Sequence, residues 1–339
     1  MRRRDVIAGL GAAAAASLAA RAQGARPVVG FLGSVSAKTF KAHLDGFLEG
    51  FKDAGFVDGR NVSIEFRWAE GQFDRLPAQA AELVSRPVDL LVTIGGNVAA
   101  LAAKRATSTI PIVFLTADDP VASGLAASMN RPGGTMTGIT WLGGELGAKN
   151  LELIHELLPA VSQIGVLINP ARPTSDAQIK NAQDAGRAMG KTLRIFPVKT
   201  FPHVDQAFVL ARSENIGAMF VASDPLFLVS VDHVAALAAR AGIPTVYFLR
   251  EFVVAGGLMS YGANIRAAAR LCGDYAARIL KGAKPADFNT ALKGDLPVLV
   301  QVRALPAAAE ADYALLRRET VGALGKALKP HLPAASEHA

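Results

Sequence analysis

Cysteine is nearly absent from this chain. Cys272 stands alone among 339 residues, which excludes an intramolecular disulfide and a cysteine-based zinc site. It lies in RAAARLCGDYAARIL, a helical pattern without a nearby histidine, and reads as a small buried residue, not a catalytic thiol. The six histidines, His43, His155, His203, His233, His331 and His338, show neither HExxH nor paired spacing, so no metal site is expected. Aromatic residues make up 6% of the chain, and no Lys/Arg cluster interleaves with them, so nucleic acid is not an expected partner. The apolar run from Val6 to Ala20 falls short of the roughly 20 residues a bilayer span needs, so no stable membrane insertion is expected either.

What the N-terminus does contain is an address. Arg2, Arg3 and Arg4 precede the Ala-rich run, and Ala20-Arg21-Ala22 offers the small-x-small pattern of a cleavage site before Gln23. Residues 1–22 are therefore expected to be a cleavable signal peptide, giving a periplasmic product. Arg3-Arg4-Asp5-Val6-Ile7 resembles a twin-arginine signal with Val6 in place of the usual Phe, and both that route and the general secretory route stay open. Gln23 is not Cys, so no lipid anchor is implied. Without the four arginines and one aspartate of residues 1–22, the formal charge falls from +7 to +4.

Beyond Pro27, strand-like and helix-like patterns alternate. PVVGFLGS, VSIEFRWA, VDLLVTI and PIVFLT read as strands separated by amphipathic helical stretches, and IGVLINP, TLRIFPV, AMFVAS and PTVYFL repeat the order. Such alternation predicts α/β architecture with parallel sheets covered on both faces, and 51% hydrophobic residues supply enough apolar surface for two cores. NVAALAAKRATSTIPIVFLT from Asn97 and DHVAALAARAGIPTVYFL from Asp232 share one pattern, which makes the two halves equivalent lobes.

The familiar enzyme signatures fail. GRAMGKT at 186–192 has three residues where a P-loop needs four, and its Gly190 closes a helix. GLMSYG at 257–262 has Leu258 where a nucleophile elbow needs Gly. VVGFLGS lacks GxGxxG, and no nicotinamide or other cofactor is expected. Polar and glycine residues do recur just after strands in GSVS, GGN, ADD, ASDPLF and LREF, where an open α/β sheet meets its ligands.

PVVGFLGS, DDPVASGLAASMNRPGGTMTGIT, LINP, ASDPLF, REFVVAGGLMSYG and GDLPV together resemble the substrate-binding proteins of a family of ABC transporters, the group that includes tryptophan- and tyrosine-type binding proteins. The resemblance runs from about Pro27 to about Val298. It implies a type I periplasmic binding fold, two doubly wound parallel-sheet lobes joined by a hinge, with a small-molecule solute between them and an ABC permease of the inner membrane as partner. LVQVRALPAAAEADYALLRRE, after Val298, lacks the expected strand-like ending.

The expected lobes are 27–140 with 256–283 and 141–255 with 284–305, followed by a tail at 306–339; crossings are placed at TGIT, VVAGG and the Lys281–Pro285 turn. The expected ligand site sets Ser34, Ser36, Gly96, Asn97 and Asp119 against Asp224, Phe227, Arg250 and Tyr261. Hydroxyls and the amides near Gly96 would hold a carboxylate, an aspartate an ammonium, and Phe227 or Tyr261 would cover an apolar body, which fits an amino acid or a related acid. Two alternatives share this fold: an exported enzyme using Asp118, Asp119, Asp224 or Glu251 as acid and base, and a periplasmic sensor that reports to a membrane receptor.

Overall fold

A computed structural model describes residues 26–141, 143–172, 174–289 and 298–302; the expected signal peptide and the tail at 306–339 lie outside them. The first lobe is built on β1 (Val28–Gly33), β2 (Ser63–Trp68), β3 (Leu90–Ile94), β4 (Ile112–Thr116) and β5 (Met136–Thr140), interleaved with α1 (Lys41–Asp53), α2 (Leu76–Val84) and α3 (Gly96–Ala106). Its sheet runs β2-β1-β3-β4-β5, parallel throughout. Every residue of LLVTI and IVFLT, the β3 and β4 segments, is buried, as near-continuous apolar runs in a sheet covered on both faces should be.

The second lobe contains β6 (Gln163–Ile168), β7 (Thr192–Pro197), β8 (Ala218–Val221), β9 (Thr245–Tyr247), β10 (Met259–Ala263) and β11 (Val298–Val302). Its helices are α4 (Gly143–Leu157), α5 (Ser175–Ala188), α6 (His203–Ser213), α7 (Pro225–Leu228), α8 (Val231–Ala241) and α9 (Arg250–Val254). The order β7-β6-β8-β9-β10 repeats the winding of the first sheet, so the two VAALAA segments, in α3 before β4 and in α8 before β9, hold corresponding places. Strand β11 then adds antiparallel to β10. VLVQV is thus the strand ending that the sequence reading missed.

The lobe boundaries differ from expectation. Strand β10 pairs with β9 through Met259 and Ser260 and so belongs to the second sheet; the chain crosses not at VVAGG but at Asn264, whose side chain caps α10 (Ile265–Leu280). The Lys281–Pro285 turn stays on the first lobe, where the Lys281 ammonium donates to the Ala54 carbonyl at 2.7 Å. The return to the second sheet falls between Asn289 and Val298.

Helix α10 anchors itself on α1 through glycines. A Cβ at Gly50 would stand 1.9 Å from the Arg270 carbonyl oxygen, and one at Gly273 would stand 2.2 Å from that of Phe47, so the two backbones touch. The ion pairs Arg266–Glu49 at 2.6 Å and Arg270–Asp53 at 2.7 Å flank this contact but are exposed. Gly50→Ala is expected to cost about 2–3 kcal/mol in urea unfolding by forcing the helices apart, whereas Arg270→Ala should cost less than about 1 kcal/mol. Equal losses would show that the ion pairs, not the close approach, hold the helices together.

Candidate functional site

The carboxyl ends of both sheets face each other across a cleft. The lobes touch closely there: a Cβ on Gly96 would lie 3.0 Å from Pro225 Cγ, and one on Gly71 would lie 2.9 Å from Val229 Cγ2. Gly95 and Gly96 open α3 with φ of +143° and +72°, and a Cβ on Gly95 would strike Ser34 Oγ at 2.3 Å. Glycine is required at both positions for conformation, and at Gly95 for space as well. Ser34 is fully buried with its hydroxyl unpaired.

An arginine spans the cleft. The guanidinium of Arg172, in the loop after β6, ion-pairs with Asp118, in the loop after β4 of the opposite lobe. It also stands 3.3 Å from Asp224 Oδ2, in the loop after β8, and donates to the Ser223 carbonyl. Asp118 Oδ1 accepts from the Thr174 hydroxyl at 2.9 Å and from Gln178 at 3.4 Å. The Thr116 hydroxyl lies 3.1 Å from the donating Asp118 amide, and Thr140 donates to the Asp118 carbonyl at 2.7 Å, which fixes the loop. Asp224 Oδ1 accepts the Leu226 amide at 2.7 Å and caps α7. Burial pushes the Asp224 carboxyl above the ordinary carboxylate range, with Arg172 pulling the other way. Burial also disfavours the Arg172 cation, but the two carboxylates outweigh it and hold the group protonated.

Beside this bridge lies a cavity of about 30 Å³ lined by Phe40, His43, Trp141, Arg172, Asp224 and Phe248 among others. That volume holds little more than a water molecule, so any organic solute must enter by the lobes parting. Burial against Phe40, whose ring centroid is 4.4 Å away, drops the His43 pKa to about 3 and keeps the imidazole neutral.

The expected site residues divide. Gly96 and Asp224 line the cavity, and Ser34 lies against Gly95 at its edge. Ser36 instead hydrogen-bonds the Thr39 amide at 3.1 Å and the Thr39 hydroxyl, as a turn cap. Asn97 spends both ends of its amide inside the first lobe, on Ser123 at 2.6 Å and Thr116 at 2.7 Å. Asp119 turns outward to cap the Val121 and Ala122 amides, while its neighbour Asp118 turns in. Phe227 is fully buried in the core because α7 turns its apolar side onto the sheet. Arg250 is exposed at the start of α9, since LREF begins a helix and does not end a cleft loop. Tyr261 packs with Leu151 and Ile154 of α4 in the core of the second lobe. Among the residues the sequence reading did not select, Arg172, Phe40, His43, Trp141 and Phe248 line the cavity.

Residues 28–307 match the family model of the ABC transporter substrate binding proteins. The chain belongs to this family. A tyrosine-binding protein of Clostridioides difficile (strain R20291) is 27% identical to this family member over 263 residues, covering 77% of this chain and 75% of the relative. Two solved structures share the type I periplasmic binding fold at a TM-score of 0.75 each. One is an ABC domain in complex with L-Trp from Streptococcus pneumonia, 23% identical and covering 86% of this chain and 95% of that one. The other is a conserved domain protein from Vibrio cholerae, 24% identical and covering 84% of this chain and 98% of that one. No helix among the described residues of this substrate-binding family member is long and apolar enough to cross a membrane, and among the same residues no group of three or more His, Cys, Asp or Glu could hold a metal ion.

Proposed function

We propose that this chain is the extracytoplasmic solute-binding component of an ABC transporter. It captures an amino acid or a related small organic acid between its lobes and presents it to an inner-membrane permease. The observation that carries this reading is the Asp118–Arg172–Asp224 bridge, which joins the lobes and sets the opposite charges of Arg172 and Asp224 against a cavity walled by Phe40, Trp141 and Phe248. Charged groups of both signs suit the two ends of an amino acid, and the aromatic rings suit an apolar or aromatic body. The relatives that bind tyrosine and L-Trp point to the same solute class. Hinge closure around solute is the established motion of periplasmic binding proteins, and a permease would read the closed shape. The arginine-led segment of residues 1–22 supplies the export this role needs.

The enzyme alternative finds little support. Asp118 and Asp224 share one arginine, Asp119 caps a turn, and Glu251 sits in α9, away from the cavity lining. A thermal-shift screen of amino acids and aromatic acids tests the proposal. At 100 times its dissociation constant a true ligand should add about 2.7 kcal/mol, a rise of several degrees. A screen without a shift, or a solute recovered chemically altered, would refute it.

A further inference from the structure

Resting on the reading of the cleft as the solute site, we propose that the Pro225–Val229 turn of the second lobe, seated on Gly71 and Gly96 of the first, is a stop that excludes solute, so that closure to this contact competes with binding. On the second lobe, Leu226, Phe227 and Leu228 are buried and hold α7 in the core, and Asp224 caps its start. That leaves Pro225 at one end and Val229 at the other, half-buried and one turn apart, against the opposite lobe. On the first lobe both receiving residues are glycines in the left-handed region, with φ of +78° at Gly71 and +72° at Gly96. They belong to one platform. Gly71 donates its amide to the Ser34 carbonyl at 3.0 Å, and Ser34 donates its own to the Ile94 carbonyl at 3.2 Å, two residues before Gly96. The turn that carries Gly71 also holds Glu70 at a φ of +54°, a conformation that non-glycine residues keep only where the surroundings enforce it.

The contact leaves no space for a methyl group. A Cβ on Gly71 would stand 2.9 Å from Val229 Cγ2, and one on Gly96 would stand 3.0 Å from Pro225 Cγ, so the lobes can approach no further. At this approach the cavity measures about 30 Å³, against about 300–1,000 Å³ for a small-molecule pocket. Closure around a solute must therefore end short of the stop. Neither Gly71 nor Val229 lines the cavity, so their contact sets the spacing of the lobes without touching what binds between them. A protein that spends part of its time at the stop has its apparent affinity reduced by the fraction of molecules left competent to bind.

The experiment locks the stop and then wedges it open. A Cβ on Gly71 would stand 3.6 Å from Val229 Cβ, within disulfide range, so the pair Gly71→Cys and Val229→Cys should crosslink under mild oxidation without added solute, while Cys272 stays buried and reduced. The crosslinked chain should give no calorimetric response to L-tyrosine or L-tryptophan, and reduction should restore binding of at least one of them. Gly71→Ala, which pushes Val229 away, should bind that amino acid about threefold or more tightly than the parent. Adding Val229→Ala should return the affinity to within about twofold of the parent, with urea unfolding showing each variant folded. Failure to crosslink, binding by the crosslinked chain, or a Gly71→Ala variant that binds no more tightly than the parent overturns the inference and leaves the proposed function standing. If neither amino acid binds the parent, the aromatic amino-acid reading falls and the exclusion falls with it, an outcome told apart because the crosslink still forms.

Discussion

Arg172→Ala should destabilise the chain by about 3–5 kcal/mol at neutral pH, because it strips the partner from two buried carboxylates that remain. Asp118 and Asp224 are 2% and 4% exposed and sit on opposite lobes, so water reaches them only if the protein unfolds or the lobes part. The same variant is therefore expected to show a larger radius of gyration in solution scattering. The triple variant Asp118→Asn, Arg172→Met, Asp224→Asn removes all three charges and should recover most of the lost stability, since replacing a buried ion cluster by neutral groups is often nearly neutral. Urea unfolding of the three proteins separates the outcomes. If Arg172→Ala stays within about 1 kcal/mol of the parent at unchanged radius of gyration, the bridge does not hold the lobes.

A second large effect belongs to pH. His43 has a pKa of about 3 in the folded chain against 6.5 for a free histidine, so between those values the unfolded chain binds a proton that the folded chain refuses. Stability is therefore fully present above about pH 6.5 and falls as the pH drops through the window, by about 2.7 kcal/mol at pH 4.5 and about 5 kcal/mol at the lower limit. His43→Phe keeps an aromatic ring beside Phe40 and cannot take up the proton. Urea unfolding at pH 7.5 and pH 4.5 should show a loss in the parent that exceeds the loss in the variant by about 2.7 kcal/mol, other groups being common to both. Equal losses would mean that His43 is hydrated and ordinary.

Much of the architecture was legible because parallel sheets leave a plain trace. LLVTI and IVFLT are apolar at all but one position each because helices cover both faces, and the recurring VAALAA followed by Ile-Pro marked equivalent halves. The second crossing was harder to see, since MSYGA is a five-residue strand whose membership depends on which sheet edge is open, a tertiary fact. The residues that line the candidate cavity were harder to read. In the strand-end loops, the pair Asp118-Asp119 gives no sign of which carboxylate turns inward, and capping claimed the outer one. Arg172 in NPARPTS looks like any loop arginine. Its signal was topological, for β6 corresponds to β1, so the loop after β6 mirrors the Ser34–Ser36 loop. Arg250 and Tyr261 misled because both follow or flank strands, while a helix start carried the one outward and packing against α4 buried the other.

The central claim, that solute binds between the lobes beside Arg172, is tested most directly by the fluorescence of Trp141. It is one of two tryptophans, lies at the crossing after β5 and lines the cavity; the other, Trp68, ends β2 and packs against Phe31. In Trp68→Phe, Trp141 is the only indole in the protein. Titrated with a ligand from the screen that carries no indole, its emission should change saturably with the dissociation constant found by calorimetry. Calorimetric binding that leaves the Trp141 emission unchanged would place the site elsewhere and contradict the account.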